Sequence, residues 1–277
     1  MISQAHHRGT AGNGLSPMLQ NLIYYVPLGL AAVGFLCCLV IELCGIAISN
    51  ENRNLVYDIT CIVATVFGIL LNTVYGRFYA LAWRKSFVSS FFSYLLVFIC
   101  LSEGWTRLDT LIFGVGSTAA FRSIMFMPLL CMILSRFCEQ DTWNLCDYFT
   151  PYFFFTLGFT ALTCWIVGCC AGRPWSWGLI NPLSGVTVFP TQPCIIILSI
   201  AVAYWGLYFS KKHAYKANGM VFANSLIAYG FFRYLIELYT DKARVCWVLS
   251  WFSICALAML AQGLLVRYFA AKRDQTP

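Results

Sequence analysis

The sequence predicts an all-α integral membrane protein, a polytopic bundle of seven to eight transmembrane helices. Of its 277 residues 60% are hydrophobic and only 10% are charged, and the mean hydropathy is +0.73. A soluble domain carries about a quarter charged residues. Long apolar runs recur along the chain, and lipid offers no water to an unpaired backbone amide, so such runs must cross as helices. The composition therefore excludes a soluble enzyme, a disordered protein and a nucleic-acid binder.

A helix needs about 20 apolar residues to cross a hydrocarbon core about 30 Å thick. Runs of this kind predict eight spans, at residues 22–48, 55–82, 86–102, 111–136, 148–170, 193–209, 219–238 and 245–268. The third and sixth runs are short, so seven full spans with one tilted or re-entrant segment are also consistent with the pattern. We expect residues 1–277 to form a single transmembrane domain that begins with a polar segment over residues 1–21.

Lysine and arginine positions predict how the bundle is oriented. With both termini in the cytoplasm, eleven of the 18 basic residues lie on the inner side and five on the outer side. Basic residues concentrate on the cytoplasmic side of membrane proteins. The net charge of +7 is thus explained by topology, without a nucleic-acid partner.

This orientation places residues 171–192 on the outer face. The segment contains Pro174, Pro182 and Pro190, which interrupt helices, together with Trp175 and Trp177. Tryptophan favours the headgroup layer of a membrane. We therefore expect an irregular loop that lies at the outer interface.

Three polar side chains recur every four residues in the seventh predicted span: Tyr229, Arg233 and Glu237. This spacing places them on one face of a helix. A charge at membrane depth is costly, and a carboxylate one turn away lowers the cost of the guanidinium. The stripe is either a structural ion pair that locks two helices or a phosphate-binding arginine oriented by its glutamate, because a guanidinium matches phosphate oxygens.

A second polar cluster follows the fifth predicted span and reads Gly168-Cys169-Cys170-Ala171-Gly172-Arg173-Pro174. Its glycines allow close backbone approach, and its arginine is expected at headgroup level. The cluster is either the end of a helix with an interfacial arginine or part of a site. In the predicted topology it faces the Arg233 stripe in the outer leaflet.

These motifs together resemble one family. The run Gly168 to Pro174, then Pro190-Thr191-Gln192, Gly219, and Tyr229 to Glu237 are similar to motifs of the prolipoprotein diacylglyceryl transferases. The chain resembles in particular the branch that reads G-C-C-x-G-[KR]-P. The resemblance extends from about Asp147 to Glu237.

The resemblance implies a multi-pass enzyme of the bacterial plasma membrane that works toward the outer face without a cofactor or metal. Its substrates would be phosphatidylglycerol, a membrane lipid, and the lipobox peptide of a prolipoprotein. The diacylglyceryl group would move to the lipobox cysteine, releasing glycerol 1-phosphate. The implied catalytic residues are Arg233, Glu237 and Tyr229, and the implied substrate-binding residues are Gly168, Cys169, Gly172, Arg173 and Gln192.

The chain also departs from the family. An arginine that most members carry seven residues before the first glycine is Ala161 here, and the usual acidic residue after that glycine is Cys169. The family's His-Gly-Gly motif is not visible. Arg122 stands near the corresponding place and would substitute for the lost cation in substrate binding, or it pairs with Glu42.

Two other functions remain open from the sequence. One is a catalytically degenerate relative that binds lipid or lipoprotein, which the Ala161 replacement favours. The other is a small polytopic transporter that uses Glu42, Asp58 and Arg122.

Overall fold

A computed structural model describes residues 50–79, 81–96, 107, 111, 120–168, 170, 172–181, 184–213, 219–240, 244–246 and 249–274. The α-helices in these ranges are α1 (Asn50–Tyr75), α2 (Trp83–Tyr94), α3 (Met127–Cys138), α4 (Thr142–Val167), α5 (Thr191–His213), α6 (Met220–Glu237) and α7 (Trp251–Asp274). Short 3-10 segments follow α1 and precede α3, at Gly76–Tyr79 and Ala120–Phe126. Strands β1 (Pro174–Ile180) and β2 (Thr187–Val188) pair antiparallel, as do β3 (Arg244–Cys246) and β4 (Leu249–Ser250).

Four of the described helical stretches are long and apolar enough to cross a membrane: Phe121–Cys138, Thr142–Val167, Thr191–Ser210 and Phe252–Lys272. The prediction of a helical membrane protein is therefore confirmed. The polar segment 1–21 and the first predicted span, 22–48, lie outside the described residues.

Helix α4 lies at the centre of the bundle and packs against α1, α3, α5 and α6. Its side chains are buried around its whole circumference, including the aromatic rings of Tyr148, Phe149, Tyr152 and Phe154. A helix that is apolar on every side belongs inside a bundle, so α4 forms the core on which the other helices pack.

A polar cluster joins α4 to α1 and α2 near the N-terminal end of α4. The Tyr148 hydroxyl donates to the Asn72 carbonyl at 2.7 Å and shares hydrogen bonds with the hydroxyls of Ser86, at 2.7 Å, and Ser90, at 3.0 Å. Hydroxyl side chains commonly hold helices together where water is excluded. Through these three hydrogen bonds the Tyr148 hydroxyl links α4 to both α1 and α2, which is a structural role.

The helix boundaries differ from the predicted spans for local reasons. Helix α4 begins at Thr142, six residues before the predicted start, because Asp141 caps it by accepting the Trp143 amide at 2.9 Å. It ends where Gly168 adopts a φ of 77°, a left-handed conformation that terminates helices. Helix α3 begins at Met127, where Pro128 in its first turn favours a helix start, and the 3-10 segment Ala120–Phe126 directly precedes it.

The prediction of an irregular 171–192 loop is wrong in part, because β1 and β2 form a small hairpin there beside the predominantly helical bundle. Ile180 pairs with Thr187, and the Asn181 amide donates to the Val186 carbonyl at 2.9 Å. Backbone groups that leave the helices still need partners, and strand pairing supplies them. The side chain of Trp177 is 91% exposed on this hairpin.

An aspartate of α4 holds the start of α6. The two carboxylate oxygens of buried Asp147 accept the backbone amides of Gly219 and Phe222, each at 2.8 Å. The first amides of a helix have no partner within the helix, so this carboxylate satisfies two of them from outside. The N-terminal end of α6 is thereby fixed to the central helix.

Helices α6 and α7 touch through glycines. A Cβ built on Gly230 would lie 2.8 Å from the Ala256 carbonyl oxygen and 2.8 Å from the Leu260 nitrogen. One built on Gly263 would lie 2.8 Å from the Ala223 carbonyl oxygen. Small residues at such contacts let helix backbones approach closely in a membrane.

The Gly230→Ala variant is expected to be less stable, because its methyl group meets backbone atoms of α7 and forces the two helices apart. Overpacking of this kind costs about 1–3 kcal/mol. Thermal unfolding in detergent should show a lower midpoint for this variant than for the parent chain.

The matched control is Gly158→Ala on α4. Its methyl group would meet the Ile200 and Ser199 side chains at 3.4 Å, which is an ordinary contact distance. Equal midpoints for the two variants would contradict the close α6–α7 contact.

Candidate functional site

The Arg233–Glu237 pair lies near the C-terminal end of α6 and is buried. Arg233 Nη2 donates to Glu237 Oε1 in an ion pair, and the two residues are 6% and 3% exposed. The predicted four-residue pairing is therefore present in the structure. Tyr229 is also buried, one turn earlier, so the stripe faces the interior of the bundle.

An aromatic ring lies against the guanidinium, within a cluster of packed rings. The Arg233 Cζ atom lies 4.8 Å from the centre of the Phe121 ring, within the range of a cation–π contact. The Tyr229 ring packs against Phe154 at 4.8 Å and against Phe121 at 6.3 Å. The site thus combines helices α4 and α6 with the 3-10 segment Ala120–Phe126.

Part of the guanidinium's hydrogen-bonding capacity is not used by Glu237. The Arg233 Nε atom is buried and has no hydrogen-bond acceptor within the part of the chain that the structure describes. A buried N–H without an acceptor is costly, and more so when it carries charge. The arrangement is therefore suited to an additional anionic oxygen at this arginine.

Thr240 is a site residue that sequence reasoning missed. Its hydroxyl lies 2.9 Å from the Glu237 carboxylate oxygen Oε2 and 2.9 Å from the Glu237 carbonyl oxygen. A threonine three residues beyond the glutamate has no distinctive signature, because hydroxyls are common where helices end.

The Gly168–Pro174 cluster lies at the same end of the bundle as the Arg233 stripe. Gly172 pairs with Thr240 in an isolated β-bridge, and the Arg173 amide donates to the Tyr239 carbonyl at 2.9 Å. Arg173 Nε donates to the Thr240 carbonyl at 3.2 Å. The two motifs that the sequence placed in separate spans are thus brought together through the three residues after Glu237.

Gly172 is required by this packing. A Cβ at this position would lie 2.3 Å from the Phe189 carbonyl oxygen and 2.7 Å from the Thr191 hydroxyl, so no side chain fits without a backbone shift. The Phe189 ring in turn stacks on Tyr239 at 4.6 Å. We use the term α6 clamp for residues 172–175, Phe189 and Tyr239–Thr240, which hold the C-terminal end of α6.

The other residues with predicted substrate contacts occupy nearby positions. The side-chain Nε2 of Gln192 donates to the Cys170 carbonyl at 3.3 Å, and the Gly168 carbonyl accepts from Asn181 Nδ2 at 3.0 Å. In the structure both residues thus organise the backbone of the cluster. Cys169 lies outside the described residues.

Arg122 is fully buried in the same aromatic region. Its Cζ atom lies 5.1 Å from the centre of the Phe252 ring. The Phe252 ring lies 6.2 Å from the Phe121 ring, which is the ring that Arg233 contacts. The two arginines therefore lie over two neighbouring rings of one aromatic cluster. Glu42, the alternative partner of Arg122, lies outside the described residues.

The position where a further arginine was expected is apolar. Ala161 is buried and belongs to a small hydrophobic cluster with Leu162, Trp165, Ile195 and Ile196. Any cationic contribution in this region therefore comes from residues other than position 161.

Comparison with known proteins agrees with the motifs. A protein of Clostridium tetani (strain Massachusetts / E88), phosphatidylglycerol–prolipoprotein diacylglyceryl transferase, is 28% identical to the chain over 118 residues. The aligned stretch is 39% of this chain and 47% of the relative, so it spans about half of the relative's length. A family model described as prolipoprotein diacylglyceryl transferase matches residues 23–269, nearly the whole chain. The chain therefore belongs to the prolipoprotein diacylglyceryl transferase family.

Proposed function

We propose that the chain transfers the diacylglyceryl group of phosphatidylglycerol to the lipobox cysteine of a prolipoprotein. The observation that carries the proposal is the buried Arg233 guanidinium, which is held by Glu237 and whose Nε–H has no acceptor among the described residues. Family membership supports the reaction class. The name of the Clostridium tetani relative supports the two substrates.

The reaction is a displacement at an sp3 carbon. The cysteine sulfur attacks the carbon of the diacylglyceryl unit that bears the phosphate, a C–S bond forms there, and the bond from that carbon to the phosphate oxygen breaks with release of glycerol 1-phosphate. The phosphate gains a second negative charge as it leaves, and the proton lost by the thiol balances that charge. Cations that lie at the phosphate before the reaction stabilise this growing charge.

In this proposal Arg233 contacts the phosphate oxygens, because a guanidinium makes charge-assisted hydrogen bonds to them. Glu237 fixes the orientation of the guanidinium, and Tyr229 packs beneath it. Arg173 adds positive charge at the same end of the bundle, on the neighbouring α6 clamp. Arg122 contributes a second buried cation behind the Phe121 and Phe252 rings.

The proposal includes a location. The chain spans the bacterial plasma membrane seven or eight times, with both termini in the cytoplasm and the site toward the outer face. The 171–192 segment lies at the outer interface as part of the single transmembrane domain. The exposed Trp175 and Trp177 of β1 support this placement, because tryptophan side chains favour the headgroup layer.

Replacement of Arg233 is expected to impair transfer severely. Purified protein in vesicles that contain phosphatidylglycerol should lipidate a lipobox peptide, as seen by the mass gain of the peptide. Arg233→Ala should lower kcat/KM by about two to three orders of magnitude, since loss of one charged donor to a developing anion has effects of this size. Arg233→Lys should stay strongly impaired, because an ammonium cannot reproduce the fork of the guanidinium.

The control is Arg267→Ala, which removes an exposed arginine of α7 far along the chain from the site motifs. It should transfer at the parent rate. Failure of the parent chain to lipidate a good lipobox peptide would contradict the proposal and favour the relative that binds lipid without catalysis. The apolar packing of Ala161 is the observation that favours that second function.

The two ends of the bundle should react differently with a membrane-impermeant maleimide in intact cells. Ser176→Cys on exposed β1 should be labelled from outside, whereas Lys272→Cys near the end of α7 should be labelled only after the cells are opened. The 14 native cysteines require comparison with the labelling of the parent chain. Equal labelling of both positions in intact cells would contradict the proposed orientation.

A further inference from the structure

Thr240 occupies the point where α6 meets the α6 clamp. It is buried, its hydroxyl lies 2.9 Å from Glu237 Oε2, and its carbonyl accepts from Arg173 Nε at 3.2 Å. It also pairs with Gly172 in the β-bridge. One residue therefore contacts the carboxylate of the buried ion pair with its side chain and the second arginine with its backbone.

The Thr240 hydroxyl matters because each of the two buried Glu237 carboxylate oxygens needs a hydrogen-bond donor. Oε1 accepts from Arg233, and Oε2 faces the Thr240 hydroxyl. The Glu237 side chain is fully buried, so water does not readily replace a lost donor. A carboxylate that is bound through both oxygens is fixed in rotation, and the guanidinium that it holds is then fixed as well.

The backbone contacts determine where the Thr240 hydroxyl lies. The Arg173 amide binds the Tyr239 carbonyl, and the Phe189 amide binds the Arg173 carbonyl, each at 2.9 Å. The Phe189 and Tyr239 rings stack across this strand-like pairing with an angle of 19° between their planes. Thr240 is thus held by backbone contacts to Gly172 and Arg173 within the α6 clamp, just beyond the last turn of α6.

We propose that Thr240 is a positioning residue, which orients Glu237 so that Arg233 presents its Nε donor to the phosphate and which holds Arg173 at the same end of the bundle. This inference rests on the proposed transferase function. Thr240 does not touch the reacting atoms; it acts through Glu237.

The proposal predicts a particular kinetic pattern. The charge on the phosphate grows as the C–O bond breaks, so a misoriented guanidinium harms the transition state more than the bound lipid. Removal of the hydroxyl should therefore lower kcat more than it raises KM for phosphatidylglycerol. A purely structural role would lower the amount of folded protein and leave both constants of the folded fraction unchanged.

The test compares Thr240→Val, which keeps the shape and removes the hydroxyl, with Thr240→Ser, which keeps the hydroxyl. Thr240→Val should lower kcat about tenfold, the size expected for one hydrogen bond to a charged group, with KM raised a few-fold. Thr240→Ser should recover most of kcat. The matched control is Thr160→Val on α4, whose hydroxyl donates to the Thr156 carbonyl within its own helix, and it should leave both constants unchanged.

A second measurement tests whether Thr240 acts through Glu237. When Glu237→Gln is combined with Thr240→Val, the double variant should be little worse than Glu237→Gln alone, because the residues belong to one network. Additive losses would overturn the proposal, and so would equal kcat values for Thr240→Val and Thr160→Val. If Thr240→Val does not fold, Thr240→Ala takes its place in both comparisons.

The positioning role of Thr240 can be tested even if the proposed transferase activity is absent. If the parent chain transfers nothing, the proposed function fails, and native mass spectrometry of retained phosphatidylglycerol decides the role of Thr240. Thr240→Val should then retain less of this lipid than Thr240→Ser and Thr160→Val. Equal retention by all three variants would overturn the positioning role.

Discussion

The structure depends on one interaction, the ion pair between Arg233 and Glu237 inside the bundle. A guanidinium at membrane depth is costly unless its charge is neutralised and its donors are bound. Glu237 supplies the negative charge, and the Phe121 ring covers one face of the guanidinium. The Thr240 hydroxyl contacts the second oxygen of the Glu237 carboxylate. Among the described residues the Arg233 Nε–H has no acceptor, and we propose that this donor binds the lipid phosphate.

Helix α6 must be held firmly for this arrangement to persist, and the fold holds it in three places. Asp147 binds its first amides, Gly230 brings it against α7, and the α6 clamp fixes its last turn. None of these contacts is formed by α6 alone. The position of Arg233 therefore depends on contacts that α6 makes with α4, α7 and the α6 clamp.

Much of this site could be predicted from the sequence because it follows from helix geometry. A four-residue spacing fixes the Arg233–Glu237 contact. The clamp could not be predicted in the same way, since it joins Gly172 and Arg173 to Tyr239 and Thr240 across a long stretch of chain. The β1–β2 hairpin was missed because proline and glycine indicate a break in a helix but do not show which backbone groups pair afterwards. The contact between Phe121 and Arg233 has no local signature in the sequence.

The departures from the family pattern leave position 161 apolar. Ala161 is packed in a hydrophobic cluster, so in the proposed function the phosphate contact falls to Arg233 on α6, with Arg173 and Arg122 as further cations. The most direct measurement is native mass spectrometry of phosphatidylglycerol bound to the purified parent chain, to Arg233→Gln and to Arg267→Gln. The parent chain and Arg267→Gln should retain the lipid after gentle delipidation, whereas Arg233→Gln should lose it. Retention by Arg233→Gln at the parent level would contradict the claim that this guanidinium binds the phosphate.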